Sequence, residues 1–308
     1  MQQVLLARLR QLVIVLFGIA SLVFFLTRLS GDPALAIAGP DASPDQIETI
    51  RERLGLNDSL LAQYWEFLKS LFTLNFGVSL QFREPAMAIV LERLPSSLAL
   101  AGTALVLATV ISIPLGIYAA VHPGRWVTRA IVASSMVLQS APSFVIGILL
   151  ILWFSVQVPI FPSFGNDEPL SIILPAVTLA SFMTGRQIRL VQAYATEELT
   201  RGYVRTARSL GYSEFRVHYR HVLRNVLVPL VSLLGIEFGL FIGGAVVTEK
   251  VFAWPGIGAL MVTAVTARDY PLIQAGVLVI GVTVVLVNLG VDFLYQVIDP
   301  RMKVKPGA

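Results

Sequence analysis

The sequence contains no cysteine and only three histidines among its 308 residues. Without cysteine the protein has no disulfide, no thiolate ligand for a metal and no thiol nucleophile. His218 and His221 stand three residues apart, a spacing that a metal pair could use on a helix. Arginines lie close to both histidines in the sequence and would repel a cation. We therefore expect no metal site in this chain.

Three motifs of catalysis are also missing from the sequence. No loop of the Gly-x-x-x-x-Gly-Lys-Ser/Thr type is present, so the chain is not expected to hydrolyse ATP. There is no His-Glu-x-x-His motif and no Gly-x-Ser-x-Gly turn, which argues against a membrane protease or an esterase. We expect a protein that is not an enzyme and that binds no cofactor of its own.

Charged residues are scarce, at 14% of the sequence, while hydrophobic residues make up 56% and the mean hydropathy is +0.76. Six uncharged or nearly uncharged runs are long enough to cross a bilayer as helices. We therefore predict an all-α integral membrane protein with six transmembrane helices. The predicted spans are residues 11–27, 94–121, 130–157, 169–185, 225–248 and 270–298. Proline is expected to bend the second span at Pro114 and to break the third at Pro142.

The basic residues are distributed unevenly around these spans. The N-terminus, the turn around Arg125, the loop 186–224 and the C-terminal tail carry 15 of the 23 Lys and Arg residues. Residues 30–93 instead carry nine acidic and five basic residues. Because cytoplasmic loops of membrane proteins are enriched in Lys and Arg, both termini and the loop 186–224 are predicted to be cytoplasmic.

We predict one transmembrane domain over residues 1–308. It comprises a first span within residues 1–29 that is retained rather than cleaved, an extracytoplasmic loop 30–93, a five-span core 94–298 and a cytoplasmic tail 299–308. Two amphipathic helices are predicted in the loop. The second, which carries Tyr64, Trp65 and Phe72, is expected to lie at the membrane interface, where aromatic rings are favoured.

The longest basic, amphipathic interruption of this apolar sequence runs over residues 203–229. Gly211 is predicted to end a first short helix, and Ser213 is predicted to cap a second helix that leads into the fifth span. Such a segment is expected to lie across the membrane surface. The residues that recur at helical spacing, and are predicted to share one face of the first helix, are Tyr203, Thr206, Ala207 and Leu210.

This segment resembles the cytoplasmic EAA loop of the permease subunits of binding-protein-dependent ABC importers. In that family a Glu-Ala-Ala triplet is followed after three residues by glycine, and then after nine residues by Ile-x-Leu-Pro. Here the triplet Arg205-Thr206-Ala207 stands at that spacing from Gly211, and nine residues separate Gly211 from His221. The glutamate is replaced and the proline comes later, at Pro229, and this variant resembles the peptide/nickel branch of the family. The C-terminal segments that also resemble this branch are 251–258, 267–271, 287–289 and Asp299-Pro300-Arg301.

The resemblance implies a multi-pass permease subunit of a bacterial cytoplasmic membrane. It implies as partners a second homologous permease subunit, two ATPase subunits that bind ATP-Mg, an extracytoplasmic solute-binding protein and membrane lipid, and no nucleic acid. The imported solute would be a peptide, a nickel chelate, glutathione or a related small molecule. The residues that the resemblance assigns to contact with an ATPase, in a coupling helix between the fourth and fifth spans, are Tyr203, Arg205, Thr206, Ala207, Arg208, Leu210 and Gly211.

Two ionisable residues, Glu237 and Asp292, fall within predicted spans, where an unpaired charge is costly. An ion-coupled secondary transporter would use such groups as ion ligands, so this class of transporter stays open as the alternative function, as does a purely structural membrane subunit. Glu237 is predicted either to line the transport pathway or to hydrogen-bond a polar side chain on a neighbouring helix.

The segment Trp254-Pro255-Gly256 between the last two spans is predicted to be irregular. It either dips back toward the membrane, where protein or a cavity must cover its backbone, or forms an interfacial hairpin anchored by the tryptophan. In the first case these three residues are further candidates for the pathway.

Overall fold

The structure, a computed structural model, describes residues 10, 14, 17–25, 34, 38, 42–53 and 55–298. Within these residues the fold is all-helical, and the only β pairing is an isolated bridge between Val78 and Pro85. The prediction of an all-α chain is confirmed. The predicted first span, 11–27, is described only in part, and the tail 299–308 with its Asp299-Pro300-Arg301 motif lies outside the described residues.

Helices α1 (Pro44–Arg53) and α2 (Leu60–Thr73) lie in the loop 30–93, where two amphipathic helices were predicted. The Ser59 hydroxyl accepts a hydrogen bond from the Ala62 N–H at 3.3 Å and so caps α2. The place of α2 at the membrane interface stays a prediction.

Helix α3, Ala86–Val121, begins before the predicted start of the second span at residue 94 and runs through Pro114 without interruption. Its first turns are amphipathic: Ile89 and Val90 are buried, while Glu92 is exposed. Glu92 is exposed and Arg93 is half-buried, and the charged pair lies within the helix rather than at the end of a loop.

The predicted third span consists of two helices, α4 (Trp126–Ser140) and α5 (Ser143–Ile151), and the second continues as a π-helix over Leu152–Gln157. The two segments meet at an angle of 101°. Ala141 is extended there, with φ −72° and ψ 131°, a conformation favoured by the proline that follows, which disfavours the helical region for the residue before it. The predicted break at Pro142 is confirmed.

The chain continues through a 3₁₀ turn, Pro169–Ile172, into a series of further helices. The predicted fifth span is interrupted at Ala245, and the sixth has the predicted bounds. These helices are α6 (Ile173–Leu199), α7 (Gly202–Ser209), α8 (Glu214–Arg216, continued by a π-helix over Val217–Val222), α9 (Leu223–Gly244), α10 (Val246–Val251), α11 (Ile257–Thr266) and α12 (Tyr270–Ile298).

Four helical segments of the described chain are long and apolar enough to cross a membrane, and the bent pair α4–α5 raises the number to five if it is one span. Six spans, and the side on which each terminus lies, stay predictions. The four segments are Ala86–Val121, Pro169–Leu199, Glu214–Phe241 and Tyr270–Val291.

By the contacts between its residues the chain divides into two compact units. The first comprises the described residues of Met1–Ser97 with Pro255–Val285, and the second those of Leu98–Trp254 with Leu286–Ala308. The single domain over residues 1–308 stays a prediction.

The first unit has an aromatic and aliphatic core that includes Phe24, Phe67 and Leu272. Beside this core lies Asp269, which is fully buried. Its carboxylate accepts hydrogen bonds from the Ser79 hydroxyl at 2.5 Å and from the Leu272 N–H at 3.2 Å. The side chain thus caps α12 and ties it to the segment before α3.

In the second unit, α4 and α6 approach each other closely at Gly185. A Cβ atom added to Gly185 would lie closer than 3.0 Å to the backbone oxygen of Ser135. Since a backbone oxygen cannot rotate away as a side chain can, this position requires glycine.

We expect Gly185→Ala to destabilise the second unit by about 1–3 kcal/mol, the usual cost of overpacking. Gly290→Ala is the matched control, because Gly290 lies in α12 with no atom near the added methyl group. The measurement is the thermal midpoint of the purified protein in detergent. Equal midpoints for the two variants would contradict the close approach.

Candidate functional site

Helix α7 ends in a glycine turn of the Schellman type. The Gly211 N–H bonds the Arg208 carbonyl at 3.0 Å, and the Tyr212 N–H bonds the Ala207 carbonyl at 3.2 Å. Gly211 has φ +78°, a left-handed conformation that glycine adopts without strain. The predicted end of the first helix at Gly211 is confirmed.

The second short helix also begins as predicted. The Ser213 hydroxyl accepts a hydrogen bond from the Arg216 N–H at 3.4 Å, which caps α8. His218 Nε2 lies 3.0 Å from a carboxylate oxygen of Glu214, and the His221 ring stacks on Tyr212 with centroids 5.5 Å apart. Both histidines are therefore engaged with side chains of their own segment.

The four residues predicted to share one face of α7 differ in burial. Val204 is fully buried and Ala207 is 6% exposed, and both join the apolar cluster of the second unit with Val191 of α6. Leu210 is 66% exposed, and Thr206 is exposed as well. The helical spacing of the four predicted residues was right, but Val204 and Ala207 point to the core. Sequence reasoning missed Val204, whose three-residue spacing from Ala207 was the available signal.

The exposed side of α7 presents Arg205, Thr206, Ser209 and Leu210. Arg208 is also exposed, but its guanidinium is paired with Glu214 through two hydrogen bonds of 2.9 and 3.0 Å. Arg208 therefore stabilises the turn between α7 and α8, and its contact with an ATPase stays a prediction.

Tyr203 is half-buried at the base of α7 and donates a hydrogen bond to Glu198 at 2.6 Å. Burial, and then this hydrogen bond, raise the pKa of Tyr203 to about 12. The hydroxyl accordingly keeps its proton and acts as a donor to the carboxylate. Sequence reasoning had not singled out Glu198, because carboxylates at helix ends are common.

Glu237 of α9 is fully buried. Gln187 Nε2 of α6 donates a hydrogen bond to Glu237 Oε2 at 2.8 Å, and Gln187 Oε1 accepts one from the Ser112 hydroxyl of α3 at 2.9 Å. Polar side chains thus link three helices of the second unit. The predicted hydrogen bond to a neighbouring helix is confirmed, and a role for Glu237 in the pathway stays a prediction.

The segment 252–256 is irregular, as predicted. Trp254 is 5% exposed and belongs to the apolar core of the second unit. Pro255 and Gly256 belong to the first unit, where Gly256 precedes α11 and the Ile257 N–H bonds the Ser97 hydroxyl at 2.8 Å. The part that Trp254, Pro255 and Gly256 play in a pathway stays a prediction.

Two family models match the sequence. Residues 112–304 match the binding-protein-dependent transport system inner membrane component, and residues 1–101 match the N-terminal part of such a membrane component. The sequence is 40% identical over 299 residues to the glutathione transport system permease protein GsiC of Escherichia coli strain K12 and of Shigella dysenteriae serotype 1, covering 97% of this chain and 98% of each relative.

Solved structures of the MetNI methionine ABC transporter in inward-facing conformations resemble the fold. Two crystal forms align with TM-scores of 0.56 and 0.59 at 19% and 18% identity, over 69% of this chain and 97% of the matched chain. At that identity the likeness concerns the fold.

We expect Glu237→Gln to keep the abundance and thermal stability of the protein, because the amide oxygen can still accept the hydrogen bond from Gln187. Glu237→Leu should lose about 1–3 kcal/mol, since it leaves a buried donor unpaired. Expression level and thermal midpoint in detergent measure both effects. A leucine variant as stable as the glutamine variant would show that the hydrogen bond contributes nothing.

Proposed function

Because the chain belongs to the family of binding-protein-dependent transport system inner membrane components, we propose that it forms half of a solute pathway that a separate ATPase drives through helix α7. Members of this family are multi-pass inner-membrane permeases of ABC importers, here of the peptide/nickel branch. The proposed assembly contains a second homologous permease subunit, two ATPase subunits with ATP-Mg and an extracytoplasmic solute-binding protein.

The observation that carries the coupling proposal is the two-sided build of α7. One side is anchored by Val204 and Ala207 in the apolar core, and the other exposes Arg205, Thr206 and Leu210. A helix packed against the core on one side can transmit a displacement imposed on its other side to the spans behind it. An exposed apolar side chain flanked by arginine suits a partner groove with an apolar floor and an acidic rim.

We propose a small peptide-type solute as the substrate. The relatives that share 40% identity along almost the whole chain are named as glutathione permeases, so glutathione is the first solute to assay. The alternative, an ion-coupled secondary transporter, is less well supported, because the matching families and relatives are permeases of binding-protein-dependent systems.

The coupling proposal is tested with two exposed threonines that have the same local geometry. The hydroxyls of Thr206 and Thr196 each bond the carbonyl four residues earlier, at 3.3 and 2.7 Å. Thr206→Trp should obstruct docking and weaken ATPase association by about 2 kcal/mol, or roughly 30-fold in affinity. Thr196→Trp should not.

The measurements are co-purification of ATPase subunits and ATP-dependent uptake of glutathione into proteoliposomes, both at equal permease abundance. Normal co-purification and uptake with Thr206→Trp would count against α7 as the coupling helix.

The proposed topology has six spans with both termini in the cytoplasm. Since the natural chain has no cysteine, single cysteines report their own side of the membrane. A cysteine at exposed Ala62 should react with an impermeant maleimide added to intact cells, and one at exposed Ser209 should react only after permeabilisation. The reverse labelling pattern would overturn the orientation.

A further inference from the structure

We propose that Glu198 is the positioning residue that fixes α7 relative to the two long helices on either side of it, and that coupling depends on this one carboxylate. The part that concerns coupling rests on the proposed function, whereas the part that concerns position does not.

Glu198 is the last but one residue of α6 and is 9% exposed. Its carboxylate meets three donors. Arg201 Nε lies 2.8 Å from Oε1, while the Tyr203 hydroxyl and Asn225 Nδ2 lie 2.6 and 2.7 Å from Oε2. Asn225 Nδ2 also lies 3.1 Å from the Tyr203 hydroxyl, so the glutamate, the tyrosine and the asparagine bond one another in a closed triangle.

The three donors come from three successive parts of the chain. Arg201 stands in the turn after α6, Tyr203 in the first turn of α7, and Asn225 in the first turn of α9. A single carboxylate therefore joins the end of one candidate span, the start of the short helix and the start of the next candidate span. Hydrogen bonds to a charged acceptor are shorter and stronger than neutral ones.

The apolar contacts of α7 alone do not fix its position relative to α6 and α9. Burial of Val204 and Ala207 holds the helix against the core, but hydrophobic attraction is non-directional, and so it resists sliding or rotation only weakly. Hydrogen bonds have preferred distances and angles. Loss of the Glu198 charge should therefore leave α7 docked but less well fixed in position.

The neighbouring residue, Glu197, is a natural control. It carries the same charge one position earlier on α6, and its carboxylate pairs with Arg201 Nη2 at 2.8 Å. Its side chain is 63% exposed, against 12% for Glu198. An exposed pair of this kind contributes little to stability, so Glu197→Gln removes a charge and an arginine contact without disturbing the triangle.

The position of α7 can be measured without any transport assay. Cysteines at exposed Ala193 of α6 and Ser209 of α7 carry a pair of spin labels in the full-length protein, purified with the subunits that accompany it. Electron paramagnetic resonance then gives the distribution of distances between the labels. We expect Glu198→Gln to broaden this distribution and Glu197→Gln to leave it as in the natural protein.

A swap distinguishes loss of the triangle from general damage to the fold. Asn225→Asp alone places a second carboxylate beside Glu198 and should broaden the distribution as well. The double variant Glu198→Gln/Asn225→Asp restores one carboxylate, which can accept from Tyr203 and from the new amide, with both side chains unchanged in length. We expect it to narrow the distribution again. A distribution that is equally narrow in Glu198→Gln and in the natural protein would overturn the positioning role.

Coupling is measured in the same preparations as glutathione imported per ATP hydrolysed in proteoliposomes. Glu198→Gln should lower this ratio by about 2- to 30-fold, the usual range for residues that carry coupling between sites. Glu197→Gln should leave the ratio unchanged, and the swap should recover part of it.

The possible failures are distinguishable. If Thr206→Trp uncouples transport while Glu198→Gln changes neither the distances nor the ratio, α7 couples and Glu198 does not position it. If Glu198→Gln broadens the distances but neither Glu198→Gln nor Thr206→Trp changes the ratio, the carboxylate positions α7 and the coupling assignment is wrong.

Discussion

Buried carboxylates connect segments of this chain, because a carboxylate that leaves water needs hydrogen-bond donors. Glu198 and Glu237 do so in the second unit, and Asp269 does so in the first. In each case at least one donor comes from a segment distant in the sequence, namely Asn225, Gln187 and Ser79 respectively. The apolar side chains around them supply most of the favourable free energy of folding, but hydrophobic attraction is non-directional. The hydrogen bonds of a carboxylate instead form only at certain distances and angles. A few polar contacts thus select one packing from the many that an apolar helical chain could adopt.

Helix α7 depends on contacts with the rest of the chain for its stability. A helix of eight residues is too short to be stable by itself in water. Its stability comes from Val204 and Ala207 in the core, from the Gly211 turn and from the pairing of Arg208 with Glu214. Because these contacts occupy the inner side and the ends, the outer side stays exposed. Two arginines of α7 thus have different surroundings: Arg208 is paired with Glu214 of the same segment, while Arg205 is exposed.

Much of the architecture could be predicted from the sequence, because it depends on local chemistry. Apolar runs of sufficient length predicted the long helices, Pro142 predicted the break between α4 and α5, and Gly211 and Ser213 predicted the ends of the two short helices. Each of these residues determines the backbone only within a few positions of itself in the sequence. Helix α3 begins before the predicted start of the second span, since the charged pair Glu92-Arg93 lies within a helix that continues past it.

The pairings in the site depend on packing, which local chemistry does not encode. Glu237 drew notice because a carboxylate within a span is costly anywhere, yet its donor, Gln187, lies 50 residues away. Glu198 drew none, because a glutamate at the end of a helix beside a basic turn is ordinary. Glu197 and Glu198 are the same residue type on the same turn of α6, and composition cannot separate them. The rotation of α6 about its own axis in the packed structure decides which carboxylate is 63% exposed and which contacts Tyr203 and Asn225. At this helix end, beside the half-buried Tyr203, the second of two adjacent carboxylates bonds neighbouring segments while the first is exposed to solvent.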